Sequence, residues 1–164
     1  MKRRSIYLVI IAGLLTLDQI TKTSISKSIN PYGVRPVIPD FFNLVHVRNK
    51  GAIFGFFSNT DSSLIFVLLT LFSLAALGLV SYYFIKTPLS EKLMNVSLAF
   101  ILAGALGNQI DRIFKGYVID FLDFSFWGWH FPSFNVADSC ISTGAVLLIF
   151  IFFFKRGPEC TPSL

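Results

Sequence analysis

Two carboxylates stand in this chain where carboxylates are costly. Asp120 lies inside the apolar stretch YVIDFLDF, and Asp138 opens the long apolar run that begins FNVADS. Ionised groups at the edge of hydrocarbon are rare and tend to face a wet cavity or one another. If the two carboxyls meet, repulsion and desolvation keep both from ionising at neutral pH, so that one proton is shared. The charged member can then activate a water molecule while the neutral one protonates a departing amine. Titration belongs to such a pair, not to either residue. A helix starting at Asp138 favours its anion through the positive end of the helix dipole. Spacing alone leaves another reading open, with Asp138 as a helix cap and Asp120 independent in water.

Further polar groups accompany the pair. In LDQITK, Asp18 and Lys22 are four apart with the acid first, the better order for a helical ion pair. They suit a structural pair or a contact to substrate equally. In AGALGNQIDR, the residues Gly104, Asn108 and Asp111 follow i, i+4, i+7 and form one stripe. Gly104 admits a close neighbour, and Asn108 can donate and accept. Arg112, four after Asn108, is positioned to snorkel toward lipid phosphate. Such a stripe fits tight helix packing closed by an ion pair, or a binding surface. VRNKGAIFG joins a basic residue, Asn49 and two glycines, which suits a turn re-entering the membrane or a backbone contact to a peptide.

The elements that must position these groups are membrane helices. Of 164 residues, 54% are hydrophobic and only 14% charged, with nineteen Phe; soluble domains average about 25% charged. The length suits one integral-membrane domain over 1–164. Four segments can span a bilayer: about 5–23, 63–85, 93–110 and 136–154. The first follows KRR, yet it lacks a clear small-x-small cleavage site and carries Asp18 and Lys22, so it reads as a helix of the mature protein. The net charge of +5 is split around the apolar runs and forms no basic stripe, which argues for membrane topology and against nucleic acid.

Lys2, Arg3 and Arg4, then Lys86 and Lys92 in KTPLSEK, then Lys155 and Arg156 share one side of a four-span chain. Their density over short segments predicts that both termini are cytoplasmic. The outer loops, about 24–62 and 111–135, are longer, and their basic residues are mixed with aspartates. Asp18, Asp40, Asp61, Asp111, Asp120, Asp123 and Asp138 all fall at or beyond the outer ends of the spans; only Glu91 and Glu159 are cytoplasmic. VRPVI and FFNLVHV predict strands of a small sheet on the outer surface, and Trp127 and Trp129 suit the headgroup zone.

Neither cysteine has a His or Cys at metal-ligand spacing, and no zinc site is expected. Cys140 and Cys160 fall too far apart on this topology for a disulfide. His46 and His130 are isolated and suit surface or interfacial positions. No Ser-His or Cys-His arrangement offers a nucleophile. A proton-coupled carrier is a rival reading, since buried aspartates also serve proton relays. Carriers, however, usually have repeats and midplane sites, and here the acids gather at one face with no repeat. A structural membrane subunit, with aspartates only pairing lysines and arginines, is the other.

Taken in order, LDQITK, RNKGAIFG, AGALGNQIDR, YVIDFLDF and FNVADS resemble the lipoprotein signal peptidases (signal peptidase II), bacterial aspartic peptidases of the cytoplasmic membrane. The resemblance spans nearly the whole chain. It implies a mainly α membrane fold: a four-transmembrane-helix bundle, with a small extracytoplasmic β-sheet from the first outer loop and a short helix beside it. It implies Asp120 and Asp138 as the catalytic pair, with Asp18, Lys22, Asn49, Gly51, Gly104, Asn108, Asp111, Arg112 and Asn135 in support. Asp123 is not the family's catalytic position. Ile53 departs from the usual second Ala or aromatic after Gly-Ala, which bears on fit and leaves the chemistry intact. The implied substrate is a diacylglyceryl-modified prolipoprotein, cut just before the lipidated cysteine at the outer face. A scissile bond held in helix is inaccessible, so the sheet and the Trp127/Trp129 loop are expected to hold an extended segment and clamp the lipid. No metal or cofactor is implied, because two carboxylates suffice to activate water. Membrane lipids are the other expected partner, and no obligatory protein partner is evident.

Overall fold

The long apolar runs become helices, and segments between them build a sheet at one end. The computed structural model describes residues 4–50 and 63–154. In chain order the elements are α1 (Ser5–Ser28), β1 (Val34–Ile38), β2 (Phe42–Asn49), α2 (Ser63–Lys86), α3 (Lys92–Lys115), β3 (Val118–Phe126), β4 (Trp129–His130) and α4 (Val136–Phe154). Four helices are long and apolar enough to cross a bilayer, and the chain is a multi-pass membrane protein. Helices α1 and α3 both run past their expected ends, to Ser28 and Lys115. Apolarity fades at Lys22 and Asp111, but polar side chains that find partners between helices do not stop a helix. Asp111 and Arg112 are therefore helical and not part of a loop.

Helix α3 is the centre of the bundle and packs against each of the other three, while α1 also touches α4. Its Leu98, Ala99 and Leu102 form an apolar cluster with Tyr7 of α1 and Phe84 of α2. Helix α2 is otherwise lipid-facing along nearly its whole length. The α3–α4 seam is tight: a β-carbon on Gly104 would strike the Ala137 carbonyl oxygen, and one on Gly144 would lie 2.6 Å from the Ser97 carbonyl oxygen. At one end of the bundle the Arg4 guanidinium donates to the Ile85 and Thr87 carbonyls at 2.7 and 2.8 Å. The start of α1 and the end of α2 thus lie together, and the sheet occupies the opposite end.

That sheet is antiparallel throughout, in the order β1-β2-β3-β4. The segments expected as strands in the first outer loop are β1 and β2. The expectation of a sheet from that loop alone is corrected: β3 and β4 come from the second outer loop, and β3 is the longest strand. Buried along most of its length, with Asp120 on one face and Asp123 on the other, β3 lacks the alternation that marks a half-exposed strand. It follows α3 almost directly, because Gly116 ends the helix with φ 75° and donates its N–H to the Arg112 carbonyl. Trp127 and Gly128, both at positive φ, make a two-residue hairpin turn into β4. The short helix expected beside the sheet is not among the described elements, and residues 51–62 lie outside the described residues.

Candidate active site

Asp120 is placed by the pairing of β2 with β3. Leu44 opposes Leu122 while Val47 opposes Asp120, so β2 carries an extra residue, a bulge at Val45–His46. Beyond it Asn49 opposes Val118, one strand repeat from Asp120 and on the same face. Its Nδ2 donates to Asp120 Oδ2 at 2.9 Å. Asp123, three residues on, points to the other face. There it accepts a hydrogen bond from Asn43 at 2.9 Å and lies 3.2 Å from the His130 ring.

Asp138 is placed by the start of α4. Asn135 caps that helix: its Oδ1 accepts the Asp138 N–H at 2.9 Å, and Asp138 Oδ2 accepts the Asn135 N–H at 3.1 Å. This is a reciprocal capping box with Asn and Asp in the two roles. The free Nδ2 of Asn135 then donates to Asp120 Oδ1 at 2.7 Å. One fully buried residue therefore holds both carboxylates, Asp120 through its side-chain amide and Asp138 through its backbone N–H. Asn108 of α3 donates to Asp138 Oδ1 at 2.8 Å and completes its shell.

Behind Asn108 lies a dry ionic network. Lys22 has no exposed surface. Its Nζ lies 2.9 Å from Asp18, 3.0 Å from Asp111 and 3.0 Å from Asn108 Oδ1, one acceptor for each of its three protons. Lys115 pairs the other oxygen of Asp111 at 2.7 Å. Asp18 Oδ1 accepts the Ala137 N–H at 2.9 Å, satisfying a second free donor at the start of α4. The stripe on α3 is thus shared out: Gly104 meets the α4 backbone, Asn108 meets Asp138, and Asp111 meets Lys22. Gly107 on the same helix leaves room for Asp18, whose Oδ2 would lie 2.5 Å from any β-carbon there.

Asp120, Asp138, Asn49, Asn108 and Arg112 line one cavity of about 620 Å³, open between α3, α4 and β3. Burial, and after it the charge of Asp138, push the Asp120 carboxyl from its ordinary 3.8 up to about 7, against the pull of hydrogen bonds from Asn49 and Asn135. Asp18, Lys22 and Asp111 are buried behind the cavity. Gly51 and Ile53 lie outside the described residues, as do Cys160, Lys155 and Arg156.

Two expectations change. Arg112 is half-buried on the cavity wall and does not extend toward lipid phosphate, because α3 continues beyond it and turns that face toward the carboxylates. His46 is buried rather than at a surface, its Nδ1–H donating to the Ile29 carbonyl at 2.8 Å, which ties β2 to the end of α1. Trp127 and Trp129 are exposed near the hairpin tip, and Phe131 and Phe134 are the aromatics on the cavity wall. Lys115 was missed, although its spacing of four from Asp111 was readable. The tie made by His46 has no local signal, since it depends on the bulge.

A family model described as signal peptidase (SPase) II matches residues 10–154. The chain is 48% identical to the lipoprotein signal peptidase of Burkholderia vietnamiensis (strain G4 / LMG 22486) over 141 residues, 84% of this chain and 81% of that one. It is 43% identical to the lipoprotein signal peptidase of Syntrophus aciditrophicus (strain SB) over 150 residues, 91% and 93% of the two chains. A solved structure titled as a bacterial membrane enzyme superposes with a TM-score of 0.82 at 31% identity, over 98% of this chain and 94% of that one. A second structure under a similar title gives 0.79 at 32%, over 93% and 95%. The chain belongs to the signal peptidase II family of membrane peptidases.

Proposed function

We propose that this chain is an aspartic endopeptidase that removes the signal peptide from diacylglyceryl-modified prolipoproteins. It cuts just before the lipidated cysteine, at the outer face of the bacterial cytoplasmic membrane, with both termini in the cytoplasm and the whole chain acting as one membrane domain. The observation that carries this reading is the joint hold of Asn135 on Asp120 and Asp138 at the wall of one cavity. The side of the bundle supports it too, since the carboxylates lie at the end opposite Arg4 and the α2–α3 loop.

The two carboxyls divide the work by environment. Asp120, held near 7, stays largely protonated just below neutrality and is the acid. Asp138 accepts N–H donors from Asn108 and from the Asn135 backbone at the positive end of α4, and is the base. Asp138 takes a proton from water as the hydroxide adds to the scissile carbonyl. Asp120 gives its proton to the amine nitrogen as the C–N bond breaks. Proton return from Asp138 to Asp120 resets the pair. Arg112, on the same wall, supplies positive charge to the oxyanion that forms between these steps. Asn49, Asn108 and Asn135 orient the pair, while Asp18, Lys22 and Asp111 fix the helices that carry it.

The test is incubation of the purified protein with a diacylglyceryl-modified prolipoprotein and with its unlipidated form. Cleavage of the first alone is expected, and Asp120→Asn or Asp138→Asn should abolish it with the protein still folded. Turnover by both variants at the native rate, or equal cleavage of the two substrates, would refute the proposal.

A further inference from the structure

The cavity that holds the two carboxylates continues along α4 toward the membrane interior. Ser139, Ser142 and Thr143 follow Asp138 on its wall. The Ser139 hydroxyl donates to the carbonyl four residues back, at 3.0 Å. Thr70 on α2 and Ser97 on α3 do the same, the usual way a helix satisfies a hydroxyl away from water. Ser142 and Thr143 do not: both are exposed to the cavity and make no hydrogen bond within the described residues. Thr16 and Ser81 also carry free hydroxyls on spanning helices, but they lie off this wall.

Free hydroxyls at membrane depth contribute nothing until something meets them. A peptide segment unwound for cleavage has the complementary deficit, because its N–H and C=O groups lose their helical partners where no water replaces them. We propose that Ser142 and Thr143 form a binding strip for the unwound substrate backbone on the signal-peptide side of the cleaved bond. This rests on the reading of Asp120 and Asp138 as the cutting pair. At 1.5 Å per helical residue, the two residues lie about 6–7.5 Å deeper than Asp138. Extended chain advances about 3.3 Å per residue, so the strip meets the backbone about two residues before the cut. Ser142 stands one turn below Asp138 on the same face, and Thr143 one turn below Ser139.

The test compares the full native chain with Ser142→Ala/Thr143→Val, which removes both hydroxyls with little change of shape. The substrate is a diacylglyceryl-modified prolipoprotein. Loss of two neutral hydrogen bonds should raise KM roughly tenfold while kcat changes less than about twofold. Thr16→Val serves as the off-cavity control and should leave both constants unchanged. A second substrate carries an ester in place of the amide two residues before the cut. It should lose affinity for the native chain and not for the double variant. Equal losses in both chains, an unchanged KM, or the same KM rise in Thr16→Val would each overturn the strip. Native cleavage with an unaltered double variant would sink this inference alone. Absence of cleavage by the native chain would sink the proposed function, and the strip with it.

Discussion

Asn135 and Asp138 cap each other. The Asp138 N–H donates to Asn135 Oδ1 at 2.9 Å, and the Asn135 N–H donates to Asp138 Oδ2 at 3.1 Å. The capping exchange that starts α4 also fixes one carboxylate of the pair, and the remaining amide hydrogens reach the other at 2.7 Å. Helix initiation and placement of the two carboxylates are the same set of bonds.

Asn135→Ala should therefore hurt activity more than stability. Loss of the cap costs about 1 kcal/mol, a shift of a few degrees in melting temperature. Release of the Asp120 carboxylate, together with the cap that seats Asp138, should lower kcat by at least about a hundredfold, as loss of general acid–base catalysis does. Steady-state kinetics beside a thermal melt of the same preparation measures both. Equal, small effects on kcat and KM would argue against a bridging role.

The Asp120 carboxyl, raised to about 7, has two consequences in pH. The acid needed for cleavage is present below about 7 and is lost above it, so kcat should fall on the alkaline side of neutrality. Stability runs the same way. The unfolded chain gives up this proton near the ordinary value of 3.8, the folded chain only near 7. Favourable proton retention is fully present below the lower value and is lost as pH rises through the higher. Asp120→Asn removes that dependence. Relative to the native chain, the variant should gain about 2–3 kcal/mol between about pH 5 and about pH 8. Melting curves at the two pH values test it, and parallel curves would show that Asp120 titrates normally.

Lys22 has three acceptors and no exposed surface. Lys22→Met strands the carboxylates of Asp18 and Asp111 in a dry seam, a loss of the order of 3–5 kcal/mol. The variant should fail to assemble or melt far below the native chain in the same detergent. A normal melt with lost cleavage would instead place Lys22 in contact with substrate.

Gly104 has no room for a side chain, since its β-carbon would meet the Ala137 carbonyl oxygen and lie 2.8 Å from Ile141. Gly104→Ala must part α3 from α4, and with them Asn108 from Asp138. A stability loss of about 1–3 kcal/mol is expected, with cleavage reduced more than about tenfold. Gly78, with nothing within 4 Å of its β-carbon, is the control: Gly78→Ala should cleave normally. Cleavage assays on the pair separate a tight seam from a general intolerance of helix substitution.

Residue order alone was enough for the spans, because apolar runs of bilayer length announce themselves. It was enough for the Asp18–Lys22 pair and the Gly104–Asn108–Asp111 stripe as well, because helical neighbours three or four apart share a face whatever the fold. The strand carrying Asp120 was not legible, since burial on both faces erases the alternation that marks a strand. Nor was the direction of Arg112, which depends on how far α3 continues and what stands opposite it. The contacts from Asp18 to Ala137, from Lys22 to Asn108 and from Asn135 to Asp120 join segments far apart in the chain. They exist only because the helices cross at small residues and a bulge sets the strand register. Periodicity is a short-range signal, and crossing and register are long-range outcomes of packing; that is why the two acids could be picked out early while their meeting had to await the folded chain.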